Sequence, residues 1–269
     1  MSLRVTLLGT GASAGVPLIG GADGAGDWGE CDPQEPRNRR SRSSILIQGP
    51  ETDGDRATIL VDTSPDMRGQ LLDARVRRAD AIVYTHAHAD HVTGLDDVRI
   101  LNRIAGRPLE AFGSKTTLDE LQTRYAYAFR PWEPPHFFRP VMLPRVVSPG
   151  ECFDVAGLDI VSFDQDHGFT RTLGLRCGGF GYSTDAVTLD DAAFAALAGI
   201  DTWVVGCFQR RPSHKTHAWL ERVYEWRERL QPRRTVLTHM GGDMDWGWLS
   251  ANLPEGIEPG FDGQMLDIA

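Results

Sequence analysis

Ala81-Ile82-Val83-Tyr84 runs without a break into Thr85-His86-Ala87-His88-Ala89-Asp90-His91. A short apolar run bounded in this way reads as a buried strand, so three imidazoles and a carboxylate issue together from a rigid strand end. Neutral imidazole and ionised carboxylate are the usual ligands of zinc and its first-row relatives. Four such groups at one strand end exceed what a single tetrahedral ion needs, which points to two ions. The competing reading, a solvated histidine-rich loop tip, is disfavoured by the spacing.

If this cluster supplies only part of two coordination shells, the other ligands must come from elsewhere, ideally also from strand ends. Three residues qualify. His167 follows Asp159-Ile160-Val161-Ser162-Phe163 and precedes Gly168, Asp185 follows Gly181-Tyr182-Ser183-Thr184, and His239 follows Thr235-Val236-Leu237-Thr238. Each ends an apolar run where the chain turns, so each can project from a rigid edge toward a common point. Taken singly, each would be read as a side chain bonded to backbone.

The order His-x-His-x-Asp-His, then His, Asp and His, resembles the metallo-β-lactamase superfamily, and the likeness runs from the first strand to Asp262. It implies an α+β fold, a four-layer αββα sandwich with a dinuclear site at one edge between the two sheets. By this resemblance His86, His88 and His167 bind one metal, Asp90, His91 and His239 bind the other, and Asp185 bridges them. The ions implied are two divalent metals: zinc, manganese or iron. Aspartate stands at the bridging position where true β-lactamases carry cysteine, so the hydrolase branches are implied and antibiotic cleavage is not.

The opening Leu7-Leu8-Gly9-Thr10-Gly11-Ala12-Ser13-Ala14-Gly15-Val16-Pro17 looks like the phosphodiesterase branch. That branch includes the transfer-RNA 3′-processing nucleases and the phosphoribosyl 1,2-cyclic phosphate phosphodiesterases known as the PhnP family. Arg211-Pro212-Ser213-His214-Lys215-Thr216-His217 is closer to the second. The likeness implies a catalytic histidine near the leaving oxygen on this loop; His217 best matches that position, with His214 as a nearby alternative that would contact phosphate. It also implies that Asp62, ending Thr58-Ile59-Leu60-Val61, orients a ligand histidine, although Asp62 also stands where it would cap a helix beginning near Pro65. Relatives with a structural zinc carry several cysteines after the first strand; only Cys31 stands in the corresponding loop, so no structural zinc is expected.

The activity implied is hydrolysis of a small cyclic phosphate, a phosphoribosyl 1,2-cyclic phosphate or a cyclic nucleotide, by solvent activated between two ions. Two alternatives stand beside it: a transfer-RNA processing nuclease, and a non-hydrolytic relative like that of pyrroloquinoline quinone biosynthesis. The family likeness also implies a homodimer.

Bulk properties agree. A chain of 269 residues suits one domain spanning 1–269, with no internal repeat or low-complexity linker. No secretory leader or membrane span is visible, and the scattered Cys31, Cys152, Cys177 and Cys207 suit free thiols in a reducing cytoplasm. A net charge of −9 argues against long nucleic acid as a partner. Arg37, Arg39, Arg40 and Arg42 run against that balance, as a solvated loop or as a phosphate-facing patch. Cys207 reads as a small buried hydrophobe, His136 as packing or surface, and Gly9-Thr10-Gly11 does not complete a dinucleotide fingerprint.

Strands are expected near residues 4–8, 43–48, 58–62, 81–85, 109–112, 157–163, 172–177, 180–183, 203–205 and 235–238. Helices are expected over 65–74, 92–103, 115–129, 190–198 and 217–230, with Ser114 and Thr188 as caps. Two irregular loops, Gly20–Asn38 and the proline- and aromatic-rich Arg130–Pro140, read as functional rims, the second as a lid, a dimer contact or ordinary packing.

Overall fold

Strand alternation builds the centre of this protein. In β1 (Leu3–Gly9), β2 (Ser44–Thr52) and β3 (Asp55–Val61), one parity places Leu3, Val5, Leu7, Ile45, Ile47, Ile59 and Val61 in the core between two sheets. The opposite parity sends Leu8, Leu46 and Leu60 to the outer face, as the pleat requires. The computed structural model describes residues 2–52 and 54–269.

Among the described residues fourteen strands form two seven-stranded sheets. The first adds β4 (Ala81–Val83), β5 (Leu109–Gly113), β6 (Met142–Val146) and β14 (Met265–Ile268), in the order β14-β1-β2-β3-β4-β5-β6. The second holds β7 (Cys152–Val155), β8 (Leu158–Asp166), β9 (Arg171–Cys177), β10 (Phe180–Ser183), β11 (Thr202–Gly206), β12 (Arg234–Thr238) and β13 (Ile257–Pro259), in the order β13-β12-β11-β10-β9-β8-β7. Facing side chains of the two sheets, including Val61, Val83, Leu175, Tyr182 and Val204, form one buried core.

Helices cover both outer faces. Met67 of α1 (Met67–Asp73), Val92 of α2 (Ala89–Val92), Val98 and Leu101 of α3 (Val98–Ala105), and Leu118 and Leu121 of α4 (Lys115–Arg124) pack with Leu46, Leu60, Ile82 and Tyr84 of the first sheet. Phe194 and Leu197 of α5 (Asp191–Leu197), Val223 and Trp226 of α6 (Leu220–Leu230) and Leu249 of α7 (Trp246–Asn252) pack with Trp203, Val205 and Leu237 of the second. The result is a four-layer αββα sandwich, the architecture that the resemblance implies.

All ten expected strands form. β6, β7, β13 and β14 were not anticipated: β6 carries Pro144, β13 has three residues, and all four lie at or beside sheet edges where the apolar signal is weakest. The helix expected over 92–103 is broken. Gly94 lies so close to Ser64 that an added Cβ would sit 2.0 Å from its carbonyl oxygen, and a 3₁₀ turn at Leu95–Asp97 separates α2 from α3. Ser114 caps α4 by accepting from Thr117 N at 3.2 Å, whereas the cap of α5 is Asp190, accepting from Ala193 N at 2.8 Å, and not Thr188. The helix expected from His217 starts only at Leu220, which leaves His217 in an irregular loop.

β3, β4 and β5 run parallel, as do β10, β11 and β12. The carboxyl ends of parallel strands leave a crevice where connections diverge; Asp62, the His86–His91 run, Asp185 and His239 follow β3, β4, β10 and β12, while His167 follows the antiparallel β8. Among the described residues no helix is long and apolar enough to cross a membrane.

Candidate metal centre

Three of the predicted residues occupy backbone conformations that non-glycine residues rarely adopt. Asp62, Asp185 and His239 have φ of 63°, 51° and 54°, each within two residues of the end of its strand. Such conformations persist where surrounding structure over-determines them, and they concentrate at functional sites. Asparagine and aspartate tolerate them best.

The turns bring the expected donors together. His86, His88 and His167 present ligand atoms within 4.8 Å of one another; so do Asp90, His91 and His239, and so do His86, His91 and Asp185. Asp185 lies between the sets: Oδ2 is 3.1 Å from His91 Nε2, while Oδ1 is 3.3 Å from His239 Nε2 and 3.6 Å from His167 Nε2. Asp90 Oδ2 is 3.3 Å from His91 Nε2 and 3.6 Å from His239 Nε2. His88 alone among these residues is exposed, so it marks the mouth of the site.

Buried polar atoms ordinarily find hydrogen-bond partners. Among the described residues His86 Nε2, His91 Nε2, both ring nitrogens of His239 and Asp90 Oδ2 are buried without one. Nitrogen and carboxylate oxygen donors left bare and aimed at one another fit a divalent cation. This cluster is therefore able to hold metal, in keeping with a fold whose members use divalent ions.

The surroundings fix which ring nitrogen faces inward. Asp62, fully buried, receives His91 Nδ1 at 2.7 Å, Thr85 N at 2.8 Å and Thr85 Oγ1 at 2.8 Å. Thr85 Oγ1 spends its single proton on that carboxylate, so at 3.0 Å it accepts from His86 Nδ1. His167 Nδ1 donates to the Thr216 carbonyl at 2.7 Å. In the neutral form of all three rings these partners put the proton on Nδ1 and leave the Nε2 lone pair facing the cluster, the arrangement by which outer partners tune metal ligands. Asp62 makes no helix cap; α1 begins five residues later.

Charge in the centre is balanced among these groups. Burial alone would push Asp185 up, but the imidazoles of His239 and His91 hold it well below the usual carboxylate range. Burial likewise opposes the charge on His91, yet Asp185, Asp62 and Asp90 hold that ring well above the ordinary histidine value. Three carboxylates converging on one imidazole demand positive charge there, which a cation also supplies. Asp62→Asn keeps the left-handed backbone accessible but removes the charged acceptor. It is expected to weaken metal retention by about 10–100-fold in chelator competition, and unaltered retention would exclude an orienting role for Asp62.

His217 and His214 lie in the loop before α6. His217 is sandwiched between His239, at 4.9 Å between ring centroids, and Phe208 at 5.2 Å, with Nδ1 3.5 Å from Asp185 Oδ1. Its surroundings oppose a charge: burial, then the neighbouring His239, pushes His217 down to about 3. The ring is neutral at pH 7, and only an anion placed beside it would raise its proton affinity. His214 Nδ1 accepts from His217 N at 3.2 Å and Thr216 N at 3.3 Å, so its proton sits on Nε2 and is available to an external acceptor.

Thr85, Thr216 and Phe208 were not foreseen. Thr85 could have been marked by its position between strand and first histidine; Thr216 acts through a backbone carbonyl and Phe208 through ring stacking, neither of which leaves a sequence signature. The arginine cluster is used in packing: Arg37 lies 4.0 Å over the Trp246 ring, Arg39 5.0 Å over Trp28, and Arg42 pairs with Asp66 at 3.0 Å. Arg40 is 2% exposed and donates to the Met244 carbonyl at 2.6 Å and toward Cys31 Sγ at 3.8 Å. In the aromatic loop Trp132 stacks on Phe137 at 4.6 Å, with His136 beside Phe138 at 5.3 Å.

A family model described as "Beta-lactamase superfamily domain" matches residues 57–240. The whole chain superposes on 98% of the crystal structure of a diphosphatase from the PhnP family, with 32% identity and a TM-score of 0.86. Zinc-bound PqqB from Methylobacterium extorquens is 18% identical with a TM-score of 0.73 over 98% of this chain and all of that one. The short form of human tRNase Z is 17% identical with a TM-score of 0.65 over 99% of each. Identities this low show a shared fold alone. An octanoyltransferase of Porphyromonas gingivalis (strain ATCC BAA-308 / W83) is 30% identical over 97% of this chain, which spans 51% of that relative's length.

Proposed function

Because the chain belongs to the metallo-β-lactamase superfamily, in its PhnP-like branch, we propose that it is a metal-dependent phosphodiesterase acting on a small cyclic phosphate or a related diphosphate ester. The observation that carries this reading is the convergence of six donor side chains around Asp185, with buried nitrogens and a carboxylate oxygen left bare. His86, His88 and His167 would hold one divalent ion and Asp90, His91 and His239 a second, with the Asp185 carboxylate available to either set. Such ions, when bound, supply water of lowered pKa and neutralise charge on the phosphate oxygens.

The chain's own groups do the rest. Asp62 and Thr85 hold the rings of His91 and His86, and the Thr216 carbonyl holds His167, so the donor atoms are oriented before any ligand arrives. The His214 Nε2–H is placed to donate to a phosphate oxygen. His217 takes up a proton as the anion settles beside it and passes that proton to the departing oxygen. Phe208 and His239 clamp its ring in place and exclude water from two of its sides.

Metal-replete protein is expected to hydrolyse bis(p-nitrophenyl) phosphate and a cyclic ribose phosphate, and to leave a 3′-extended transfer-RNA precursor uncut. Turnover of neither phosphodiester by protein of verified metal content would sink the proposal, and accurate cutting of the precursor would replace it with the nuclease reading. The octanoyltransferase likeness does not favour acyl transfer by this chain through a thiol. Cys31, Cys177 and Cys207 are at most 4% exposed, and the exposed Cys152 lies on β7, an edge strand.

A further inference from the structure

Two loops of the site are built as one rim. The turn His167-Gly168-Phe169-Thr170 is closed by His167 N donating to the Thr170 carbonyl at 3.0 Å. It is pinned from below by Gly168 N donating to Asp166 Oδ1 at 2.8 Å. Gly168, with φ of +77°, presses against the loop before α6 so closely that an added Cβ would lie 2.8 Å from the Lys215 carbonyl oxygen. The bond from His167 Nδ1 to the Thr216 carbonyl, 2.7 Å long, ties the same two segments. The position of Phe169 relative to Lys215 is therefore set by the backbone that orients the His167 ring.

Neither of these side chains is used by the fold or by the chemistry above. Phe169, two residues past His167, is 89% exposed, and Lys215, two residues before His217, is exposed as well. An aromatic ring left almost wholly in water, held on a pinned turn beside a buried polar centre, offers a flat apolar surface to whatever enters. The neighbouring ammonium adds a point charge that suits an anion.

We propose that Phe169 and Lys215 form the specificity element of this site and select a nucleotide substrate, the base stacking on Phe169 and a phosphate other than the one attacked lying against Lys215. This inference rests on the phosphodiesterase reading and names the part of the substrate that does not react. Stacking on an aromatic side chain tolerates any base, because every base has a π-face. Selection is thus expected for nucleotides as a class, with little discrimination among bases.

The test is calorimetric titration of the metal-loaded protein with AMP, ADP and ribose 5-phosphate. Phe169→Ala is expected to weaken AMP and ADP by about tenfold or more, the scale of one base–aromatic stack, and to affect ribose 5-phosphate much less. Lys215→Glu is expected to weaken ADP more than AMP, by a factor that shrinks as salt is raised. In turnover the same Phe169→Ala change raises KM for a 2′,3′-cyclic nucleotide relative to glycerol 1,2-cyclic phosphate, with the loss in KM rather than kcat. Equal affinity of the unaltered protein for all three ligands, or a Phe169→Ala effect equal on all three, would overturn the proposal. Binding reads the rim even if no substrate turns over. Base-dependent binding without hydrolysis would count for the rim and against the phosphodiesterase reading; hydrolysis without base preference would do the reverse.

Discussion

Asp185→Asn will strip the protein of metal more severely than any other single substitution in the cluster. Its carboxylate is 1% exposed, and its two oxygens face His91 on one side and His239 and His167 on the other. The asparagine is close in shape and suits the left-handed backbone at this position, so the change isolates charge from packing. Loss of an outer partner costs about 10–100-fold in metal affinity; loss of a donor shared by both sets should exceed that range and lower phosphodiester hydrolysis with it. Elemental analysis after dialysis is expected to show metal below one equivalent per chain, against two for the unaltered protein. Two retained equivalents would show that Asp185 does not join the sets.

His217→Ala is expected to lower kcat by about 10²–10⁴-fold, the usual contribution of a placed proton donor, with metal content preserved. The metal measurement matters because a ring nitrogen of His217 also lies within 4.8 Å of donor atoms on His167 and Asp185. A fall in metal content would make it a ligand. The leaving group provides the sharper discrimination. An alkoxide must be protonated as it departs, whereas p-nitrophenolate is stable without a proton, so the loss should be far larger for a cyclic ribose phosphate than for bis(p-nitrophenyl) phosphate. Equal losses on both substrates would assign His217 to binding or positioning. Because burial holds the free ring down at about 3, a donor role for His217 requires that its protonation be coupled to arrival of a substrate anion.

Strand ends carried the legible part of the site. His86, His88, Asp90 and His91 fall within one six-residue run, and Asp62, His167, Asp185 and His239 each follow an apolar run at the point where regular structure stops. Chemistry and periodicity therefore coincide in one dimension, and the order of these residues carries the superfamily resemblance. The edge strands β6, β7, β13 and β14 escaped because they are half-exposed or interrupted by proline, so burial imposes little pattern on them. Gly94 broke an otherwise helical stretch for a reason located thirty residues away, at the Ser64 carbonyl.

By itself, then, the amino-acid order determined the buried strands and the set of groups able to bind metal, because ligand chemistry and buried-strand periodicity are local properties of side chains; the αββα layering was implied by the superfamily resemblance. Tertiary structure alone decided which nitrogen of each ring faces inward, through Asp62, Thr85 and the Thr216 carbonyl. It alone placed His217 between two rings that suppress its charge, and it turned four clustered arginines toward packing and ion pairing. Those outcomes depend on distances between segments remote in sequence and on the low dielectric of a shared interior, and no residue carries that information on its own.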